Sequence, residues 1–219
     1  MKRLEAILLG PGSTLNSNGE VGLSISALRI SKHGKRMAML TRREYEQARQ
    51  DAVEMIVRSG IQITDDEKHQ LSVVDFGLSR LPIEGAQILT IVDTKRVALK
   101  IIALFPKQTE PEHWHPKVGE DPGKEETLRL IKGTLYFYGP GEDSLRCGFI
   151  PKEKEAHYTV RKEIIMKPGD QITLDPGTKH WFQAGEEGAV MYTISTTARD
   201  ILDRFTDPSI VRETKVVDD

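Results

Sequence analysis

Nine short runs rich in β-branched and apolar residues, lying between residues 71 and 196, constrain the fold of this chain more than any other feature. Gly, Pro or Asp turns separate the runs, so none of them continues into a long helix. Many short strands with regular turns are typical of an antiparallel sandwich or barrel. We therefore predict a mainly β fold for this part of the chain.

A helical segment is predicted before the β region. Thr41 and Glu44 have the spacing of a capping box, in which a hydroxyl and a carboxylate satisfy backbone amides at a helix start. Apolar residues then recur at helical spacing, which predicts a helix near 42–58 packed outside the barrel by one face: Ala48, Ala52 and Ile56. A second capping box, Thr64 to Glu67, predicts a shorter helix.

The chain is therefore divided into two parts. Residues 1–70 form an N-terminal extension and helical segment, in which LEAILL and GLSISALRI could be short strands. Residues 71–219 form the barrel and a C-terminal tail, with a closing helix expected from Ser195 to Phe205.

Composition excludes several classes of partner. With 31 basic and 33 acidic residues, the chain has no charge excess that favours nucleic acid or an anionic membrane. The single cysteine, Cys147, rules out an internal disulfide framework and a thiolate metal cage, and it fits a reducing cytosol. No apolar run approaches the roughly 20 residues of a membrane span, so we predict a cytoplasmic protein.

Two histidines separated by one residue provide the first sign of chemistry. On a strand, His113 and His115 point to the same face, so their imidazoles can bind adjacent positions on one cation. Such a pair in isolation is also compatible with two surface histidines. The pattern continues with Glu126 and Gly133, and then with His180 after a tight Asp-Pro-Gly turn.

In this order and across short strands, these residues resemble the two cupin motifs. The resemblance implies a cupin, that is, a double-stranded β-helix or jelly-roll barrel with N-terminal helices, in which His113, His115, Glu126 and His180 hold a divalent metal. The chain departs from the motifs at three turn residues and in the ten-residue gap between His115 and Glu126; the turn departures are Lys107, Asp175 and Ala184.

Longer segments resemble the D-lyxose isomerase family of cupins, in which the long gap is itself characteristic. These segments run from about Val74 to Ile210 and include LFPKQTEPEHWHP, GKEET, HYTV, TKHWFQAGEEGAV and FTDP. The resemblance implies a homodimeric, Mn²⁺-dependent isomerase of an unphosphorylated sugar, with D-lyxose/D-xylulose and D-mannose/D-fructose as leading pairs. The mixed nitrogen and oxygen donors alone also suit Co²⁺, Ni²⁺, Fe²⁺ or Zn²⁺.

An aldose–ketose isomerase needs a base that moves a proton between C2 and C1 through a cis-enediolate. Lys124 is the first candidate. It lies two residues before Glu126, so on a strand both side chains point to the same face, and burial beside a cation would lower the pKa of Lys124. Lys100, which interrupts an apolar strand, is the second, and Glu126 itself is the third. The resemblance also implies that relatives often carry a glutamate where this chain has Thr193. If that glutamate is the base of the family, this protein either uses another group or differs in activity.

Three other functions remain open. A cupin dioxygenase could use the same ligands with Fe²⁺ and O₂. A phosphosugar isomerase would need a cluster of cationic or hydroxyl donors at the mouth of the site, and the sequence does not reveal one. A non-catalytic sugar-binding cupin would keep the ligands without a working base.

Overall fold

The computed structural model describes residues 39–218, so the strands considered for LEAILL and GLSISALRI lie outside the described part. That part contains two α-helices, α1 (Arg42–Arg58) and α2 (Asp65–Gln70). Neither is long and apolar enough to cross a bilayer. The strands are β1 (Leu40–Thr41), β2 (Ser72–Val74), β3 (Ala86–Asp93), β4 (Ala98–Leu104), β5 (Thr109–Trp114), β6 (Glu126–Gly139), β7 (Lys162–Met166), β8 (Gln171–Leu174), β9 (His180–Ser195), β10 (Arg204–Phe205) and β11 (Val216–Val217).

The predicted helix at 42–58 is confirmed together with its cap. Thr41 Oγ1 accepts a hydrogen bond from the Glu44 amide at 3.2 Å, and the Glu44 carboxylate accepts one from the Thr41 amide at 3.0 Å. A second capping box begins α2 at Thr64. The buried face of α1 packs on the outer side of the sheet, in one cluster with apolar residues of β3 and β4. That face consists of Ala48, Ala52 and Ile56.

Strands β2 to β10 form one curled sheet, and two long strands organise it. Strand β9 pairs with β5 along its first half and with β4 along its second half. On its other side β9 pairs with β6, which also pairs with β7 and β8. Because the long strands take part in both halves of the sheet, the sheet curls around a shared interior. The predicted jelly-roll barrel is confirmed.

The barrel interior is largely apolar, and a group of buried polar side chains lies against it. Buried side chains such as Leu130, Phe137 and Met191 fill the apolar part. Gly133 lies at an irregularity of β6 with φ of +84°, and a Cβ there would collide with the carbonyl oxygen of Gly188. The glycine of the cupin motif is therefore required by the close approach of two strands.

Two predicted elements are wrong. One of the nine runs that predicted strands is HYTV, at residues 157–160, and it is not a strand. Glu155–His157 is a single turn of 3₁₀ helix, and Tyr158 is buried in a loop against Trp181. The closing helix from Ser195 to Phe205 is also absent. Asp200–Leu202 forms one 3₁₀ turn and β10 then pairs with β5, which holds Phe205 opposite His113. In this turn Ile201 is 64% exposed, and the pairing of β10 with β5 takes the place of the last turn of the expected helix.

The segment after β10 is held by a buried carboxylate, Asp207, which pairs with Lys154 and accepts a hydrogen bond from the Ser209 amide at 2.8 Å. Burial alone would raise the pKa of Asp207, but Lys154 and Ser209 outweigh it and lower the pKa to about 2. Because this pKa is below its unfolded value, the carboxylate stabilises the fold above about pH 4 and loses that effect towards pH 2.

We therefore expect Asp207→Asn to unfold less steeply with acid than the parent. Between pH 4 and pH 2 the parent should lose about 2 kcal/mol more stability than the variant. Urea unfolding followed by circular dichroism at several pH values measures this difference. Asp218→Asn is the matched control, because Asp218 is exposed and pairs only weakly with Arg42. Equal acid dependence of parent and Asp207→Asn would contradict the expectation.

Candidate active site

Three buried histidines meet inside the barrel, where His180 packs against Phe137 and Phe182. His113 and His180 are register partners on β5 and β9, and their ring centroids lie 4.2 Å apart. His115 joins them, with ring centroids 5.4 Å from His113 and 5.2 Å from His180. One nitrogen from each ring lies within 4.8 Å of the others. The alternation predicted for His113 and His115 therefore places both rings in one cluster.

The hydrogen bonds of two rings determine which nitrogen faces the site. His113 Nδ1 lies 2.8 Å from the Pro111 carbonyl oxygen, and His180 Nδ1 lies 2.9 Å from that of Thr178. A carbonyl oxygen only accepts, so each Nδ1 carries the proton and each Nε2 keeps a free lone pair. His115 Nε2 and His180 Nε2 are buried and have no hydrogen-bond partner among the described residues.

The histidines are also held neutral. Burial lowers the pKa of His113 well below its usual value, and that of His180 falls for the same main reason. Burial and the nearby Lys124 ammonium lower the pKa of His115 to about 3. Three neutral imidazoles, two of which have a hydrogen-bonded Nδ1 that leaves the Nε2 lone pair free, are donors suited to a divalent metal. This buried site fits a divalent metal.

Glu126 lies beside the histidines, with Oε2 3.5 Å from His115 Nε2. It is the first residue of β6, and its other oxygen lies 3.3 Å from Lys124 Nζ. Burial would raise the pKa of Glu126, but the Lys124 charge outweighs it and keeps the pKa below its usual value. All four residues predicted as metal ligands therefore lie in one cluster.

The predicted pKa of Lys124 is wrong in direction. Burial would lower this pKa, as expected from the sequence, but the carboxylates of Glu126, Asp203 and Asp200 outweigh it and raise the pKa. Lys124 Nζ lies 3.4 Å from Asp200 Oδ1. The alternation of side chains along a strand does not predict this contact, because Asp200 is 76 residues away in the chain. Lys124 is thus a charged hydrogen-bond donor in this structure.

A small inner cavity lies beside the histidine cluster and is lined by His113, Lys124 and Glu126. It has a volume of about 20 Å³. Lys100 lines it and pairs with Asp200, so this lysine faces the cavity and does not extend to the surface. Thr193, on the neighbouring strand β9, lines the same cavity.

Four charged residues of the cavity were not predicted. Glu110 and Asp203 approach the histidines: a Glu110 oxygen lies 4.0 Å from His113 Nε2, and an Asp203 oxygen lies 4.0 Å from His115 Nε2. Burial raises the pKa of each of these carboxyls to about 7. Lysines hold the pKa of Asp200 below its usual range against the effect of burial. The fourth residue is Arg212.

A larger cleft adjoins the inner cavity, between α1, the β2–β3 strands and the C-terminal segment. Its volume is about 720 Å³. Ile88, Asp200 and Arg212 line both spaces and so form the wall between them. The cleft is also lined by charged residues of both signs: Arg42, Glu46, Arg49, Glu213 and Lys215.

Comparison with known sequences gives one consistent result. The family model for D-lyxose isomerase matches residues 31–219. The chain is 46% identical over 170 residues to the D-lyxose ketol-isomerase of Cohnella laeviribosi, covering 77% of this chain and 93% of the relative. It is 43% identical over 182 residues to the D-lyxose/D-mannose isomerase of Thermosediminibacter oceani, covering 82% of this chain and all of the relative.

Solved structures agree in fold. The L-ribose isomerase of Acinetobacter sp. DL28, in complex with L-ribose, superposes with a TM-score of 0.68 at 14% identity, covering 82% of this chain and 98% of that one. The L-ribose isomerase of Cellulomonas parahominis superposes with a TM-score of 0.69 at 13% identity, covering 82% and 99%. On the sequence matches, the chain belongs to the D-lyxose isomerase family and is a sugar isomerase.

Proposed function

We propose that this protein is a metal-dependent aldose–ketose isomerase that interconverts D-lyxose with D-xylulose and D-mannose with D-fructose. The observation that carries the proposal is the buried cluster in which three neutral histidines and Glu126 lie beside Lys124. The two sugar pairs share the configuration at C2, so a site that grips C1 to C3 accepts both. A relative named for both D-lyxose and D-mannose supports this pairing.

His113, His115, Glu126 and His180 would hold the metal, and Mn²⁺ is our first choice among the ions that suit this donor set. A divalent ion supplies positive charge that stabilises the oxygen anions of an enediolate. Because the ligands are buried, little water would surround that charge, and its attraction for the oxygen anions would be stronger than in water. We also propose a cytoplasmic homodimer, as the family resemblance implies.

The two lysines supply fixed charge to the reaction. Lys124 lies between Glu126 and Asp200, so its ammonium is held in the cavity and donates a hydrogen bond to the oxygen that becomes negative. Lys100 keeps Asp200 at the wall of the cavity, where the carboxylate accepts hydrogen bonds from sugar hydroxyls. Glu126 remains a ligand, because a carboxylate bound to a metal is a weakened base.

A phosphorylated sugar is the second candidate substrate. The outer cleft carries a group of cations that the sequence did not reveal: Arg42, Arg49, Arg212 and Lys215. However, Glu46 pairs with Arg49, and Asp200 lies 3.9 Å from Arg212. These acids offset part of the positive charge, which favours an unphosphorylated sugar.

A sugar panel tests the proposal. After chelation, the protein is assayed with lyxose, mannose, xylose, fructose, xylulose and mannose 6-phosphate, each with Mn²⁺, Co²⁺, Ni²⁺, Fe²⁺ or Zn²⁺. We expect turnover of the D-lyxose and D-mannose pairs, with the highest rate in Mn²⁺ and none in the chelated protein. Preference for mannose 6-phosphate would move the assignment to the second candidate, and oxygen consumption with iron without isomerisation would support a dioxygenase.

A further inference from the structure

An irregularity of β5 turns an unpredicted carboxylate into the cavity. Glu110 is the register partner of Phe182 and His113 is that of His180. Between these two pairs, β5 advances by three residues while β9 advances by two, so β5 contains a bulge. A bulge reverses the alternation of side chains after it. Glu110 and His113 therefore both face the cavity, although strict alternation would place them on opposite faces.

Glu112 lies inside the bulge and provides a comparison with Glu110, because it is a buried carboxylate of the same strand with a structural role. It is almost fully buried, and its oxygens accept hydrogen bonds from the Val160 amide at 2.9 Å and from the Thr159 hydroxyl at 2.7 Å. The Thr206 hydroxyl and the Thr159 amide donate two more. Glu112 thus connects β5 to neighbouring loops, and its hydrogen-bonding capacity is used.

Glu110 is also buried, but unlike Glu112 it has an oxygen that accepts no hydrogen bond from the described residues. It is 7% exposed, and its Oε2 is enclosed without any hydrogen-bond partner among the described residues. Its other oxygen lies 4.0 Å from His113 Nε2, beyond hydrogen-bond length. A buried carboxylate oxygen without a partner is costly unless a bound molecule meets it. This oxygen therefore faces the place where a ligand would lie.

The other carboxylates of the cavity are less suited to move a proton. Glu126 and Asp200 are both paired with Lys124. Asp203 lies immediately after the 3₁₀ turn at the wall, whereas Glu110 lies on a strand that is paired on both sides. A group that must reach two carbons in turn needs a rigid support. Glu110 combines an unpaired oxygen with such a support.

We propose that Glu110 is the catalytic base of the isomerase, an inference that rests on the proposed function. Its carboxylate takes the proton from C2 of the aldose, and the C–H electron pair forms the C1–C2 double bond while the carbonyl oxygen O1 becomes an anion. Lys124 donates a hydrogen bond to that anion. The O2 proton passes to O1, and Glu110 returns its proton to C1 as the C2 carbonyl forms, so no further reactant is needed.

Glu110→Gln in the metal-loaded enzyme tests this role. We expect kcat to fall about 10²–10⁴-fold, as general acid–base catalysis contributes, with KM little changed. In deuterated water, incorporation of deuterium at C1 of the ketose should fall by the same factor. Metal content and melting temperature should stay close to those of the parent. Glu110→Asp keeps a carboxylate on a shorter side chain and should retain more exchange than Glu110→Gln.

Two further variants complete the test. Glu125→Gln, at an exposed glutamate near the site, should behave like the parent. Asp203→Asn should keep more exchange than Glu110→Gln. Loss of bound metal in Glu110→Gln would overturn the inference in favour of a ligand role, and activity within a factor of five of the parent would overturn it outright. A greater loss of exchange in Asp203→Asn would transfer the role to Asp203. If the parent itself isomerises no sugar, the proposed function fails first.

Discussion

His180→Ala should abolish isomerase activity while leaving the barrel folded. His180 Nε2 is buried in the histidine cluster without a hydrogen-bond partner among the described residues, whereas many apolar side chains form the core of the barrel. A bound metal contributes several kcal/mol to the transition state, and loss of about 4 kcal/mol is about a 10³-fold loss of kcat. The measurements are kcat with excess Mn²⁺, bound metal by elemental analysis and the far-ultraviolet circular dichroism spectrum.

His69→Ala is the matched control for this prediction. His69 lies on α2 and is exposed, so its removal tests the loss of an imidazole without touching the site. The control should keep parental activity and metal content. Full metal content and activity in His180→Ala would show that the histidine cluster is not the metal site, and it would remove the basis of the proposed function.

Lys124→Met should lower kcat strongly and raise KM much less. The ammonium is in contact with Glu126 and Asp200. In the proposed reaction it donates a hydrogen bond to an oxygen whose charge develops mainly in the transition state. Removing one donor of this kind costs about 10²–10³ in kcat. Steady-state kinetics with D-lyxose separate the two constants. Methionine keeps the length and the apolar stem of the lysine side chain.

Lys132→Met controls for the loss of a lysine, because Lys132 is an exposed residue of β6. It should have parental kcat and KM. Activity of Lys124→Met within a factor of two of the parent would clear Lys124 of a catalytic role and leave Lys100 as the cation to test. An equal rise in KM without loss of kcat would mean that Lys124 binds the sugar but does not favour the transition state.

The sequence predicted those parts of the site that follow from local spacing. Strand alternation places His113 and His115 on one face, and a tight turn returns the chain at His180. The capping box at Thr41 and the apolar spacing behind it predicted α1 and its buried face, because both depend only on neighbours along the chain. The resemblance to cupins then supplied the pairing of distant strands.

What the sequence did not predict depends on contacts between distant segments. Glu110 was missed because a bulge breaks the alternation, and the bulge is visible only in the register of β5 against β9. The pKa of Lys124 was predicted in the wrong direction because the charge of Glu126 was not weighed against burial, and because Asp203 and Asp200 add to it from a segment expected to be helical. Pairing of β10 with β5 outweighed the weak helical pattern there.

The wall between the two cavities has a practical consequence for obtaining complexes. The inner space of about 20 Å³ accommodates little more than one water molecule, so a sugar enters only if the wall moves. Asp200 belongs to a short turn between β9 and β10, and its neighbour Arg199 is joined to Asp121 by an ion pair of 2.9 Å. A crystal lattice that fixes this turn would keep sugar out of preformed crystals. Growing crystals from protein already mixed with the sugar is therefore the better route to a bound structure.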